Sequence, residues 1–176
     1  MKLLTILTLF CFVSIAPAFA QMSLQSTDIK EGQKLSNAQV FNGFGCVGDN
    51  KSPQLSWEGV PEGAKSLAVT LYDPDAPTGS GWWHWVVFNI PANVKSLDSD
   101  ASMPNGAIES RTDFGSTGFG GACPPEGNAP HNYIFTLHAL DVEKLDIDEN
   151  ASGAMVGYFL NAHSIEKASI TAKYGR

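Results

Sequence analysis

Long apolar runs are scarce in this chain, basic clusters are missing, and cysteine nearly so. Its 176 residues carry 11 Lys and Arg against 18 Asp and Glu, for a net charge of −7. The few cations are dispersed, which argues against a nucleic-acid partner and against adhesion to anionic lipid, since both draw on dense positive charge. If the protein holds an anion, local geometry must do it. Internal repeats, charge blocks and low-complexity linkers are also lacking, and Gly and Pro are scattered instead of marking one boundary. That distribution suits a single domain of many short strands.

The one apolar stretch of note runs from Leu3 to Val13, preceded by Lys2 and followed by Ala18-Phe19-Ala20. A positive start, an apolar middle and a small-x-small end are the marks of a cleaved export signal, so residues 1–20 read as a signal peptide and the mature chain as 21–176. Loss of Lys2 takes the net charge to −8. Cys11 raises the question of a lipid anchor, but Phe10 stands where a lipid-attachment site needs a small residue. No later segment approaches the roughly 20 apolar residues of a membrane-spanning helix. The expected location is the periplasm or the exterior, without a membrane anchor.

Cys46 and Cys123 survive processing, and in an oxidising compartment an even pair forms a bridge more often than it stays free. Such a bridge restricts the unfolded chain by about 4 to 5 kcal/mol on the loop-entropy model, less any strain. The competing reading, Cys123 as a nucleophile activated by His131, places a reactive thiol where a second Cys tends to oxidise it.

Three segments read as strands. Leu67–Tyr72 and His84–Ile90 are apolar or β-branched on both faces, which predicts central strands covered on two sides. Asn132–Leu140 is the third, and a weaker strand is expected around Ala107–Arg111. Ser152 is a candidate cap for a helix to about His163, with Met155, Val156, Phe159, Leu160 and His163 at helical spacing. Lys167–Tyr174 alternates Ala168, Ile170, Ala172 and Tyr174 against polar neighbours, as a half-buried closing strand does.

Period two sorts the histidines. His131, Tyr133, Phe135 and Leu137 share one strand face, while His138 sits on the other. His131 follows the loop CPPEGNAP and His84 follows PTGSGWW, so both stand at loop-to-strand junctions, where scaffolds present functional groups. A purely structural role for His84 would be a core histidine bonded to Asp73 or Asp75. His138 and His163 read as packing or surface residues. Asp73-x-Asp75 starts like a calcium loop but has Thr78 at the sixth position and His84 at the twelfth, so that motif fails. A zinc site from His84, His131 and an Asp has suitable ligand types but none of the tight helical pairings. Asp113-Phe114-Gly115 lacks the rest of a kinase, GSTGFGG lacks a strand-to-helix setting, and no G-x-S-x-G elbow supports serine hydrolysis.

DPDAP, the following WWHW and CPPEGNAPHNY together resemble the phosphatidylethanolamine-binding protein family, also called the Raf kinase inhibitor protein family, and its bacterial branch most closely. The similarity runs from NGFGCVGDNKSPQLSW to the terminal AKYGR. It implies a mainly β fold, antiparallel sheets in a sandwich-like core with a few peripheral helices, and a small pocket for phosphate, phosphorylated headgroups or similar anions. The pocket residues carried over are Asp73, His84, Pro124, Pro125, His131 and Tyr133, with Cys123 where eukaryotic members have glycine. Trp83 replaces the second histidine of those members, and their C-terminal helix has no counterpart here. The bacterial branch implies a homodimer.

Histidine N–H groups, the Tyr133 hydroxyl and backbone N–H groups of Gly118–Gly121 would supply the donors for an anion. Asp73 is expected to orient His84 by accepting one ring N–H and to favour the imidazolium, so that the other N–H points at the ligand. Pro124 and Pro125 stiffen the wall, and a Cys46–Cys123 bridge ties the Asn50 loop to it. The leading expectation is a non-enzymatic binding module with no cofactor and no metal. A metal-assisted hydrolase using the same histidines, or a secreted inhibitor working through an unidentified protein partner, are the alternatives.

Overall fold

The computed structural model describes residues 21–176; the signal-peptide reading lies outside them. Ten strands and one α-helix follow one another as β1 (Ser23–Gln25), β2 (Asn42–Gly43), β3 (Cys46–Val47), β4 (Leu55–Glu58), β5 (Ser66–Asp73), β6 (Trp82–Pro91), β7 (Ser96–Leu97), β8 (Ile108–Glu109), β9 (His131–Leu140), α1 (Gly153–His163) and β10 (Ser164–Tyr174). The main sheet has the order β10-β9-β5-β6-β8, all antiparallel, and a smaller sheet β1-β4-β7 lies across its inner face. The fold is thus mainly β and sandwich-like.

The doubly apolar strands sit where their composition demands. β5 and β6 are flanked by strands and buried on both faces. Leu67, Val69 and Leu71 join Trp85 and Val87 against Leu24, Leu55, Trp57 and Leu97 of the smaller sheet. On the opposite face Ala68, Val86, Phe88 and Leu140 pack against Val156 and Leu160 of α1. A strand covered by a sheet on one side and a helix on the other has no solvent face, so it shows no polar alternation. β10 is an edge strand of the main sheet and keeps the expected alternation, with Ile170 and Ala172 buried between exposed Lys167, Ser169 and Lys173. The segment around Ala107–Arg111 contributes only the two residues of β8.

Ser152 caps α1, its hydroxyl accepting from the Met155 amide at 3.2 Å. That removes one unpaired donor from the first turn. The helix lies close to the sheet because Gly153 and Gly157 face the Trp83 ring. A Cβ on Gly153 would stand 2.3 Å from Trp83 Cγ.

Two bulges in β6 shape the sheet. Between Leu67↔Ile90 and Val69↔Val87 one extra residue enters β6 near Asn89, which takes a left-handed backbone (φ 58°). The Asn89 side chain satisfies the Leu145 backbone in both directions. The second bulge lies at His84.

Gly153→Ala is expected to cost about 1 to 3 kcal/mol through overpacking against Trp83. Urea unfolding checks this: the midpoint should fall while the slope stays unchanged.

Candidate anion-binding pocket

β5 pairs with β6 as Leu71↔Trp85, then Tyr72↔Trp83 and Asp73↔Trp82. One step along β5 consumes two along β6, so His84 is the extra residue of a bulge. Strict alternation from Trp85 and Val87, which face the sandwich core, would send His84 to the helix side with Val86. The bulge returns it to the core side, beside Trp82 and Tyr133, and leaves Trp83 alone on the helix side against Tyr72, ring centroids 4.7 Å apart.

The result is a cavity of about 220 Å³ bounded by all six expected residues, Asp73, His84, Pro124, Pro125, His131 and Tyr133. Both rings lie within it, His84 and Tyr133 meeting edge to face at 5.2 Å. Cys123 lines the cavity and is bonded to Cys46, which disposes of the free-thiol reading. Among the described residues no group of three His, Cys, Asp or Glu side chains converges as a cation site.

Two expectations about partners fail. Asp73 does not hold His84. Its Oδ2 accepts from His131 Nδ1 at 2.7 Å, and its Oδ1 accepts the Asp75 amide at 2.8 Å. Asp73 ends β5 on the core-facing side, and neighbouring β9 carries His131 on that same side, whereas β6 presents His84 from a bulged backbone. Asp75 is also occupied, accepting from the Asn132 amide and side chain. His84 Nδ1 instead donates to the Gly120 carbonyl at 2.8 Å, while the Gly120 amide donates to the His84 carbonyl. The glycine run is therefore not an anion cradle. Gly120 N–H is spent on His84, Gly121 N–H on Asn50 Oδ1, and none of residues 118–121 borders the cavity. Asn50 itself ties its loop to this segment, accepting from Gly121 and donating to the Phe119 carbonyl.

Burial sets the protonation states and overturns the expected His84 imidazolium. Desolvation pulls His84 down to about 4, against the opposing pull of the Gly120 carbonyl and the Asp73 charge. Burial, followed by the Asp73 charge, drives the Tyr133 phenol far above its ordinary range, so it stays an O–H donor. Among the described residues its oxygen is buried without a hydrogen-bond partner, as are Trp82 Nε1 and Ser110 Oγ. Tyr133 and Trp82 line the cavity. A buried donor without a partner carries a penalty of about 1 to 3 kcal/mol that a ligand acceptor would relieve.

Trp82 was legible in principle, standing two residues before His84 and opposite Asp73. Phe44 and Phe114 were not, since they arrive from separate loops. Phe114 stacks on Phe41 at 4.3 Å and meets His84 edge to face at 5.3 Å. Phe44, at the tip between β2 and β3, is 69% exposed yet borders the cavity. Arg176 holds that tip in place. Its Nε donates to the Pro124 carbonyl at 2.7 Å, and its terminal nitrogens reach the Gly45 and Phe44 carbonyls and Glu126 Oε1 at 3.3 to 3.5 Å. One guanidinium thus joins the Phe44 hairpin to the proline wall, parallel to the disulfide.

His138 and His163 lie outside the cavity, as expected. His138 is buried between Thr70 and Ser164 hydroxyls and is lowered to about 3, by desolvation first and Lys167 second. His163 Nδ1 pairs with Asp141 at the surface, 2.9 Å away.

An antiparallel sandwich with a His/Asp/Tyr cavity at the ends of its central strands is the arrangement that defines the class of this fold. The chain belongs to the phosphatidylethanolamine-binding protein family, whose model matches residues 25–175. It is 53% identical to the UPF0098 protein YbcL of Escherichia coli K12 over 99% of this chain and 98% of that one. The YbhB protein of the same organism is 56% identical over 87% of this chain and 99% of its own. The crystal structure of E. coli YbcL, described as a new member of the mammalian PEBP family, superposes with a TM-score of 0.87 over 89% of this chain and 99% of that chain.

Two outcomes are expected. An unfolded histidine titrates near 6.5, and native His84 and His138 near 4 and 3. In that window the unfolded chain binds more protons, so stability rises with pH and falls by a few kcal/mol from pH 7 to pH 4. Urea midpoints across that range measure the loss, and His138→Leu should flatten part of it. Arg176→Ala should speed amide exchange over residues 42–47 about tenfold without changing exchange in β5 and β9.

Proposed function

We propose that the protein is a non-enzymatic binder of small phosphorylated or similar anionic ligands, held in the cavity between Tyr133, Trp82 and His84, and that it works as an exported protein. The observation that carries the reading is the pair of buried, unpartnered donors, Tyr133 O–H and Trp82 N–H, that border one cavity: of the three buried side-chain polar atoms without a partner among the described residues, only Ser110 Oγ lies away from it. An acidic chain binds an anion this way because a few oriented donors in a partly dry cavity outweigh net charge. The family membership points in the same direction.

A binding role fits the histidines better than catalysis. No Ser, Thr or Cys among the described residues hydrogen-bonds either ring, and both Nδ1 atoms are committed to fixed acceptors. His131 is held by Asp73 on one side and by Asn128 Nδ2, 3.4 Å from Nε2, on the other. Its role is to fix the wall that carries Tyr133. Export is supported by the Cys46–Cys123 bridge, which persists in oxidising compartments, and by the leader-like residues 1–20. Among the described residues no helix is long and apolar enough to cross a membrane.

Tyr133→Phe tests the reading. The O–H donates to nothing among the described residues, so its removal should leave the unfolding midpoint nearly level. Loss of a hydrogen bond to a charged ligand costs about 1.5 to 3 kcal/mol, so phosphoethanolamine binding measured by calorimetry should weaken by about one to two orders of magnitude. Unchanged affinity in a folded variant would refute the assignment.

A further inference from the structure

A carbonyl oxygen can only accept, so the contact from His84 Nδ1 to Gly120 O places the ring proton on Nδ1. In a neutral imidazole Nε2 then carries the lone pair. Among the described residues Nε2 makes no hydrogen bond, and it is the polar atom left to the cavity that the ring borders. The titratable groups facing His84 are Asp73 from β5, Asp113 from the loop after β8, and Tyr133 and His131 from β9. Burial outweighs the two carboxylates and keeps the ring neutral near pH 7.

The cavity therefore offers two donors, Tyr133 O–H and Trp82 N–H, and one acceptor, His84 Nε2. Among the described residues neither Lys nor Arg borders it, and the Asp73 carboxylate stands in its wall, paired with the His131 ring. A fully ionised phosphate would bring only acceptors, set one against the imidazole lone pair, and stand near the Asp73 carboxylate. An acid that keeps one O–H matches all three groups: the O–H donates to His84, and the remaining oxygens accept from Tyr133 and Trp82.

Resting on the anion-binding reading above, we propose that the cavity selects phosphomonoester monoanions and hydrogen phosphate over phosphodiesters, because His84 accepts a hydrogen bond that only an ionisable P–O–H can donate. His84 is thus a specificity-determining residue, and the bulge and Gly120 are the positioning elements that fix its tautomer. A phosphodiester headgroup, as in an intact phospholipid, has no such O–H. The favoured ligand is a free monoester.

Calorimetry on residues 21–176 with the disulfide intact decides this, using methyl phosphate and dimethyl phosphate from pH 6 to 8. Phosphoethanolamine against glycerophosphoethanolamine separates a free monoester from a lipid-type headgroup. A monoester loses its O–H through a pKa near 6, so its affinity should fall about tenfold between pH 7 and pH 8. The diesters should bind at least about tenfold more weakly than the monoesters at pH 6, with no pH trend. His84→Gln, whose amide can also donate, should bring the monoester-to-diester ratio towards one. A wild-type protein that binds diesters as tightly as monoesters, or a monoester affinity that is flat from pH 6 to 8, overturns the selection while leaving the anion site standing. No binding of any probe at any pH overturns both.

Discussion

The bulge at His84 is the constraint from which the rest of the pocket follows. One residue inserted into β6 opposite β5 turns a side chain that alternation would bury under α1 towards Tyr133 instead. The same distortion brings the His84 peptide against residue 120, where the Gly120 amide holds the His84 carbonyl and the Gly120 carbonyl holds the ring. Burial then keeps the imidazole neutral. Ring direction, tautomer and charge state thus share one local cause, and a regular strand with the same residues would have none of them.

Around that point the wall is assembled from segments with little regular structure of their own. The Phe44 hairpin, the proline loop and the loop bearing Phe114 are too short and irregular to be held by ladder hydrogen bonds alone. They are fastened by cross-links of three kinds: the Cys46–Cys123 bond, the Arg176 guanidinium and the Asn50 side chain. The aromatic rings of Phe41, Phe44 and Phe114 then stack on one another. Loops held this way keep their shape without needing a core, which is how a small domain can keep an open cavity beside its packed centre.

Burial of polar groups is uneven in a way that fits this division. Asp73, Asn89 and His138 are buried and each finds partners within the protein. Tyr133 and Trp82, at the cavity, do not. Ser110 Oγ, away from the cavity, is the third buried side-chain polar atom without a partner among the described residues.

The central strands, the capped helix, the closing strand and the paired cysteines were all legible in the sequence, because composition and period report directly on which faces are covered and where a helix starts. The six expected pocket residues do gather around one cavity, and period two on β9 correctly put His131 with Tyr133. Which acid serves which histidine was not legible. Asp73 lies near both rings in space, and the choice depends on strand order and on a bulge that shifts register by one residue. The glycine run after Ser116 suggested free backbone donors, but the Gly120 and Gly121 amides are claimed by His84 and Asn50, and the run does not border the cavity. Local sequence fixes what a segment prefers to be. Only the packed sheet decides which atoms meet, because hydrogen-bond partners across strands depend on register, and register is settled by the whole core at once.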